Sequence, residues 1–149
     1  MDKLQYNIDI KAPAKRVADQ MIGKETYPQW TTPFSPTSDF DGGWNKGDKI
    51  AFISVDEHGT KHGILAEIVE HIPYQFISMH HYGYVHGDQE ITEGPELAGW
   101  ENSFENYYFD EKEGVTTVRV EVTDDGEHAK HMNEIWPKAL EKLKAMCER

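Results

Sequence analysis

Hydrophobic and polar residues alternate at the start of the chain: Leu4, Tyr6, Ile8 and Ile10 are separated by Gln5, Asn7 and Asp9. Period two predicts a strand with one wet face and one buried face. Pro13 then opens a helix, where its missing N–H does no harm. Ala14, Val17, Ala18, Met21 and Ile22 follow the spacing of one helical face, and Gly23 is the expected stop. A second short helical piece is predicted from Glu25 to Trp30. Thr32-Pro33-Phe34-Ser35-Pro36 is irregular, because two prolines break any ladder. Asp41 to Gly47 reads as a turn-rich stretch with Trp44 at its centre.

Strands dominate the middle of the chain. Ile50–Val55 and Ile64–Val69 form a predicted hairpin turning near His58-Gly59, and Phe76–Val85 is a further strand rich in β-branched and aromatic residues. His86–Gly99 is polar, acidic and punctuated by Gly and Pro, so a long loop is expected there. Asn102–Phe109 and Val115–Val122 make the last hairpin, turning near Glu113-Gly114. A capping box is expected at Asp124 and Glu127, with Asp in place of the usual Ser or Thr. It starts the strongest amphipathic segment of all. Met132, Ile135, Trp136, Ala139, Leu140, Leu143, Met146 and Cys147 share one helical face. Pro137 interrupts this helix and predicts a kink across Asn133–Trp136. Sequential strands joined by short turns give an antiparallel sheet. Its apolar face needs a cover, which the C-terminal helix supplies. Concave space between the two is where small ligands bind.

These stretches also carry a resemblance. Ile10-Lys11-Ala12-Pro13-Ala14, Tyr27-Pro28-Gln29-Trp30, Phe40-Asp41-Gly42-Gly43-Trp44 with Gly47, Trp100 followed by Glu105-Asn106-Tyr107, and Trp136-Pro137 through Leu143 stand in the order seen in the SRPBCC (helix-grip, START-like) superfamily. Within it, the chain resembles the domain family named after the ATPase activator of the ninety-kilodalton heat-shock chaperone. The resemblance implies an α+β helix-grip fold: a curved antiparallel β-sheet of about six or seven strands wrapped around a long C-terminal helix, with two short helices after the first strand. It also implies an internal cavity. Relatives bind lipids, sterols, polyketides or plant hormones, and some are cyclases or hydrolases. The eponymous co-chaperone stimulates a chaperone ATPase. A chain of this length is expected to lack that protein's additional N-terminal chaperone-binding domain.

A length of 149 residues suits one domain spanning 1–149. Fifteen basic against 27 acidic residues leave a net charge of −12, which repels phosphate backbones and anionic bilayers. No nucleic-acid partner and no membrane insertion are therefore expected. Cys147 is the only cysteine, so no internal disulfide can form, which fits a reducing compartment. Met1-Asp2-Lys3-Leu4-Gln5-Tyr6 contains no apolar signal core, and a cytoplasmic protein is the expectation.

Candidate chemistry is sparse. His128 and His131 are one helical turn apart, while the neighbours His80 and His81 point to opposite sides of a strand. No HExxH or Cys/His cluster appears, so no metal and no cofactor are expected. No GxSxG elbow is present, and Cys147 reads as a small core residue. Glu105 is the candidate acid–base group, although its strand's alternation leaves inward and outward orientations open. The aromatic residues exceed what a minimal core needs, and Tyr and Trp suit amphipathic ligands. The expected ligand-binding set takes Trp30, Phe52, Tyr82, Trp100, Tyr107 and Trp136 from that surplus. It adds Met132 from the helix and the polar pair His80 and Glu105. The favoured function is non-enzymatic binding of a hydrophobic or amphipathic small molecule. A chaperone-associated interaction module and a cyclase- or hydrolase-type enzyme are the alternatives.

Overall fold

The alternation at the start of the chain becomes strand β1 (Asp2–Ile10) in the computed structural model, which describes residues 2–124 and 128–149. Lys3, Gln5, Asn7 and Asp9 are exposed, and Ile10 is fully buried. Helix α1 (Ala14–Ile22) buries Ala14, Val17, Ala18 and Met21, the stripe its spacing predicts. Pro13 sits just outside it as an extended N-cap. Gly23 ends α1 with a negative φ. Its small size is needed for a different reason: a Cβ there would meet Asp19 O at 2.8 Å. Helix α2 (Tyr27–Trp30) follows, and its Trp30 indole donates to Met21 O at 3.0 Å. That bond satisfies the one polar atom of a fully buried ring.

Strands β2 (Asp39–Gly42), β3 (Lys49–Val55), β4 (Lys61–Ile72), β5 (Phe76–His86), β6 (Gln89–Ile91), β7 (Phe104–Lys112) and β8 (Val115–Asp124) complete the sheet. Its order is β1-β8-β7-β5-β4-β3-β2, with β6 pairing β5 off this path. Every pairing is antiparallel. Strands β2 and β6 depart from the sequence expectation. Each is only three or four residues long, too short to display a period. Strand β6 lies inside the expected His86–Gly99 loop, which also holds a 3-10 turn at Pro95–Leu97. A second 3-10 turn at Trp100–Asn102 delays β7 to Phe104.

The β7–β8 hairpin closes through the two residues Glu113 and Gly114, both at positive φ (52° and 80°). A primed turn of that kind matches the right-handed twist of its strands. Two register shifts interrupt β4–β5, at Leu65/Ala66 and at Ile68/Glu70. Bulges bend the strand that carries them, which curves the sheet.

Helix α3 (Ala129–Cys147) lies across the concave face and packs on β1, α1 and α2. The helix-grip architecture is therefore the one present. Helix α3 buries Trp136, Ala139, Leu140, Leu143 and Cys147 and runs unbroken through Pro137. Proline has no N–H to offer the Asn133 carbonyl one turn back. The capping box expected at Asp124 and Glu127 does not start α3: Asp124 ends β8, Glu127 lies outside the described residues, and the helix starts at Ala129 behind His128.

The far end of α3 is tied to β1 by polar contacts. Lys11 N donates to Glu148 Oε2 at 2.8 Å, and Lys144 Nζ reaches both Asp9 O (2.7 Å) and Glu148 Oε2 (3.1 Å). The Lys11 N–H, followed by Lys144, holds the Glu148 carboxyl below its ordinary range. Among the described residues, no helix is long and apolar enough to cross a membrane.

The ring of Trp136, 4% exposed, meets Tyr6, Trp30, Phe34 and Tyr107. Trp136→Ala should cost ~3–5 kcal/mol in a denaturant melt, the range for deleting a large buried aromatic. A negligible change would mean that the ring does not pin helix to sheet.

Candidate functional site

Helix α3 does not fill the concave face evenly. Leu140, Leu143 and Cys147 pack tightly at one end. At the other end, Met132 and Trp136 stand over a cavity of about 800 Å³. That volume lies within the range of small-molecule sites.

One wall comes from α2 and the segment after it. Tyr27 and Trp30 meet edge-on at 5.5 Å, and Phe34 meets Trp136 edge-on at 4.9 Å. The opposite wall comes from the bent sheet. Phe52 of β3 is paired with Ile64 of β4, and Ile64 with Tyr84 of β5. Trp100, from the 3-10 turn before β7, lies 6.2 Å from Tyr84. These surfaces are apolar with a few polar tips.

The polar groups gather where β5 meets β7. The hydroxyl of Tyr107 donates a very short hydrogen bond to Glu105 Oε2. Glu105 Oε1 lies 3.6 Å from His81 Nε2, an ion pair whenever the imidazole is protonated. His81 Nδ1 is 3.0 Å from Ser103 Oγ. The Glu105 and His81 side chains are only 16% and 12% exposed, so this chain of polar groups is largely shielded from water. Register explains the gathering: Met79 of β5 faces Glu105 of β7, and Ile77 faces Tyr107. Alternate residues share a face. Glu105 and Tyr107 therefore point inward together, which resolves the orientation left open by the sequence.

Of the nine residues expected at a ligand site, Trp30, Phe52 and Trp100 line the cavity from its two walls. Glu105, Tyr107, Met132 and Trp136 line it too. His80 and Tyr82 do not. His80 Nε2 pairs with Trp100 O at 3.1 Å, and its ring packs on Phe104 at 4.9 Å. Tyr82 lies beneath Lys49 Nζ at 5.4 Å from its centroid. His81 takes the inward place instead of His80, because it keeps step with Ile77 and Met79 along β5. That apolar alternation was the available signal. Tyr84 replaces Tyr82 because His81 pairs Ala66 and Gly83 pairs Leu65, which leaves Tyr82 as the extra residue of a bulge. The alternation changes phase there. Ser103 carried no signal in the sequence. Exposed Glu96 and His128 stand at the rim. Among the described residues, no group of His, Cys, Asp and Glu could hold a metal ion.

A curved antiparallel sheet closed by one long helix over an internal cavity defines a helix-grip protein. The comparisons agree with this class and narrow it. The family described as Activator of Hsp90 ATPase homolog 1-like protein matches residues 11–148. The chain belongs to that family.

Among solved structures, the chain is similar to the Aha1 dimer from Colwellia psychrerythraea. The two share 20% identity at a TM-score of 0.72, with 99% of this chain and 97% of that one covered. A protein from Arthrobacter aurescens is 17% identical with TM-score 0.72, over 97% of this chain and 85% of its own. A protein from Chromobacterium violaceum is 13% identical with TM-score 0.68, over 100% and 99%. At these identities the likeness speaks for the fold alone. No curated protein matches the chain.

Burial, and then the charge of Glu105, push the Tyr107 phenol well above the ordinary tyrosine range. Burial likewise raises Tyr27, again with Glu105 as the second cause. Folding therefore favours the protonated phenols. The corresponding stability is fully present below the unfolded tyrosine pKa near 10, and it is lost as pH rises from there towards the folded values. An ultraviolet titration should show phenols that ionise only as the protein unfolds. If every tyrosine ionises near pH 10 while the fold persists, Tyr27 and Tyr107 are not buried as described.

Proposed function

We propose that the chain acts as one helix-grip domain that holds a hydrophobic or amphipathic small molecule between the sheet and α3, without converting it. The supporting observation is the 800 Å³ cavity, walled by aromatic rings and carrying a single largely buried polar patch at Glu105, His81 and Ser103. Such a site can bury an apolar body and orient one polar end.

Ser103, His81 and Glu105 invite a hydrolase reading, but their surroundings weigh against it. Acyl transfer needs N–H groups aimed at a developing oxyanion. The N–H groups of His81, Ser103 and Phe104 are already bound to Ser103 O, Trp100 O and Thr123 Oγ1. The single cysteine, which leaves no internal disulfide to form, suits a reducing compartment, so the role is proposed for the cytoplasm.

Native mass spectrometry of protein purified from its own cells should reveal a bound small molecule. A matching compound at ~100 times its Kd should add ~2.7 kcal/mol of stability. For a domain of this size that is a rise of about 5–10 °C in Tm. Nothing co-purifying, together with an unmoved Tm across a lipid and metabolite panel, would falsify the reading.

A second reading is supported by the family match over residues 11–148: a chaperone-associated interaction module. On that reading the protein should raise the ATPase rate of the ninety-kilodalton heat-shock chaperone from the same cells. An unchanged rate, with no chaperone in a pull-down, counts against it.

A further inference from the structure

Charge is distributed unevenly around the cavity. Glu105 lies within it and Glu96 at its rim; among the described residues no lysine or arginine lines it, and its basic side chains are His62, His81 and His128. A site for a fatty-acid carboxylate or a phosphate headgroup normally offers a cation to pair with that anion. Here the protein supplies the anion instead.

The Glu105 carboxylate is only half engaged. Oε2 accepts from the Tyr107 hydroxyl, whereas Oε1 faces His81 Nε2 at 3.6 Å, beyond hydrogen-bonding distance. A carboxylate oxygen has two acceptor sites, and Oε1, on a side chain still 16% exposed, keeps capacity for a further donor. An ammonium group donates three hydrogen bonds, carries the opposite charge and would fill that role. The aromatic walls favour the same occupant. Faces of Trp and Tyr attract cations, and Tyr84 and Trp100, both partly exposed, line the cavity together with Glu105. An entering carboxylate would meet a like charge in a low-dielectric space.

Resting on the cavity reading above, we infer that the ligand is a hydrophobic amine: an apolar body with one protonated nitrogen, which Glu105 Oε1 accepts while the aromatic walls enclose the rest. The chain thus selects against anionic lipids and fatty acids. Neutral alcohols of the same shape enter and can donate to the carboxylate, but they lack the opposite charge.

The test uses one hydrophobic body with three ends: 2-naphthylethylamine, 2-naphthylethanol and 2-naphthylacetate, titrated calorimetrically into the full chain at pH 7.5. The amine should bind about tenfold tighter than the alcohol, because its own positive charge adds an ion pair to the hydrogen bond that both can make. The acetate should bind weakest. Glu105→Gln retains an acceptor for Tyr107 and should abolish the amine's advantage over the alcohol. Glu57→Gln removes the same unit of charge from an 87%-exposed side chain in the β3–β4 turn. It should keep the preference.

Equal binding of amine and alcohol, or a preference that survives Glu105→Gln, overturns the inference while leaving the cavity reading intact. So does tighter binding of the acetate. Failure of all three compounds to bind overturns both. A Glu105→Gln protein that does not fold is replaced by Glu105→Asp, which draws the charge back by one methylene. That variant should weaken the amine selectively, and an unchanged amine-to-alcohol ratio there also overturns the inference.

Discussion

The contact between the Trp136 indole and the sheet governs the rest of the structure. Four aromatic rings, from β1, α2, the segment after α2 and β7, converge on it. The apolar surface of that ring holds α3 against the strands at one height. Below it the aliphatic stripe of Leu140 and Leu143 closes tightly. Above it the helix and sheet stand apart. The cavity exists because a large rigid ring props the helix at that point, and the bulged strands β4 and β5 curve away from it.

The same geometry explains why the polar patch is small. Buried polar groups are tolerated when they bind one another. Across β5 and β7, Tyr107 binds Glu105 and His81 binds Ser103, and the two pairs face each other at 3.6 Å. Antiparallel register brings residues distant in sequence side by side, so two strands can assemble a site that neither holds alone.

Much of the fold was legible in the sequence, because long elements with one wet face advertise their period. The stripes of β1, α1, β8 and α3 each span several repeats, and the order of elements implied the antiparallel sheet. Strands β2 and β6 were not legible, since three or four residues display no period. Within the site, Trp136 stood out on the strongly patterned α3, whereas Trp30 and Tyr107 were marked only as part of the aromatic surplus. His81 could have been preferred over His80 by following Ile77 and Met79 along the strand. Tyr84 could not have been preferred over Tyr82. A bulge is set by pairing with the neighbouring strand, and local composition does not reveal it. Ser103 belongs to the site only because the 3-10 turn at Trp100–Asn102 delivers it beside His81.

The sheet order has a consequence for how the chain is made. Among the described residues, the strand that pairs with β1 is β8, more than a hundred residues later. At ~5–20 residues per second, β1 leaves the ribosome on the order of ten seconds before its partner exists. Contacts so distant in sequence also form slowly. Throughout that interval the alternating row of Leu4, Tyr6, Ile8 and Ile10 has no sheet to join. The nascent chain thus carries β1 without its sheet partner until β8 has been made.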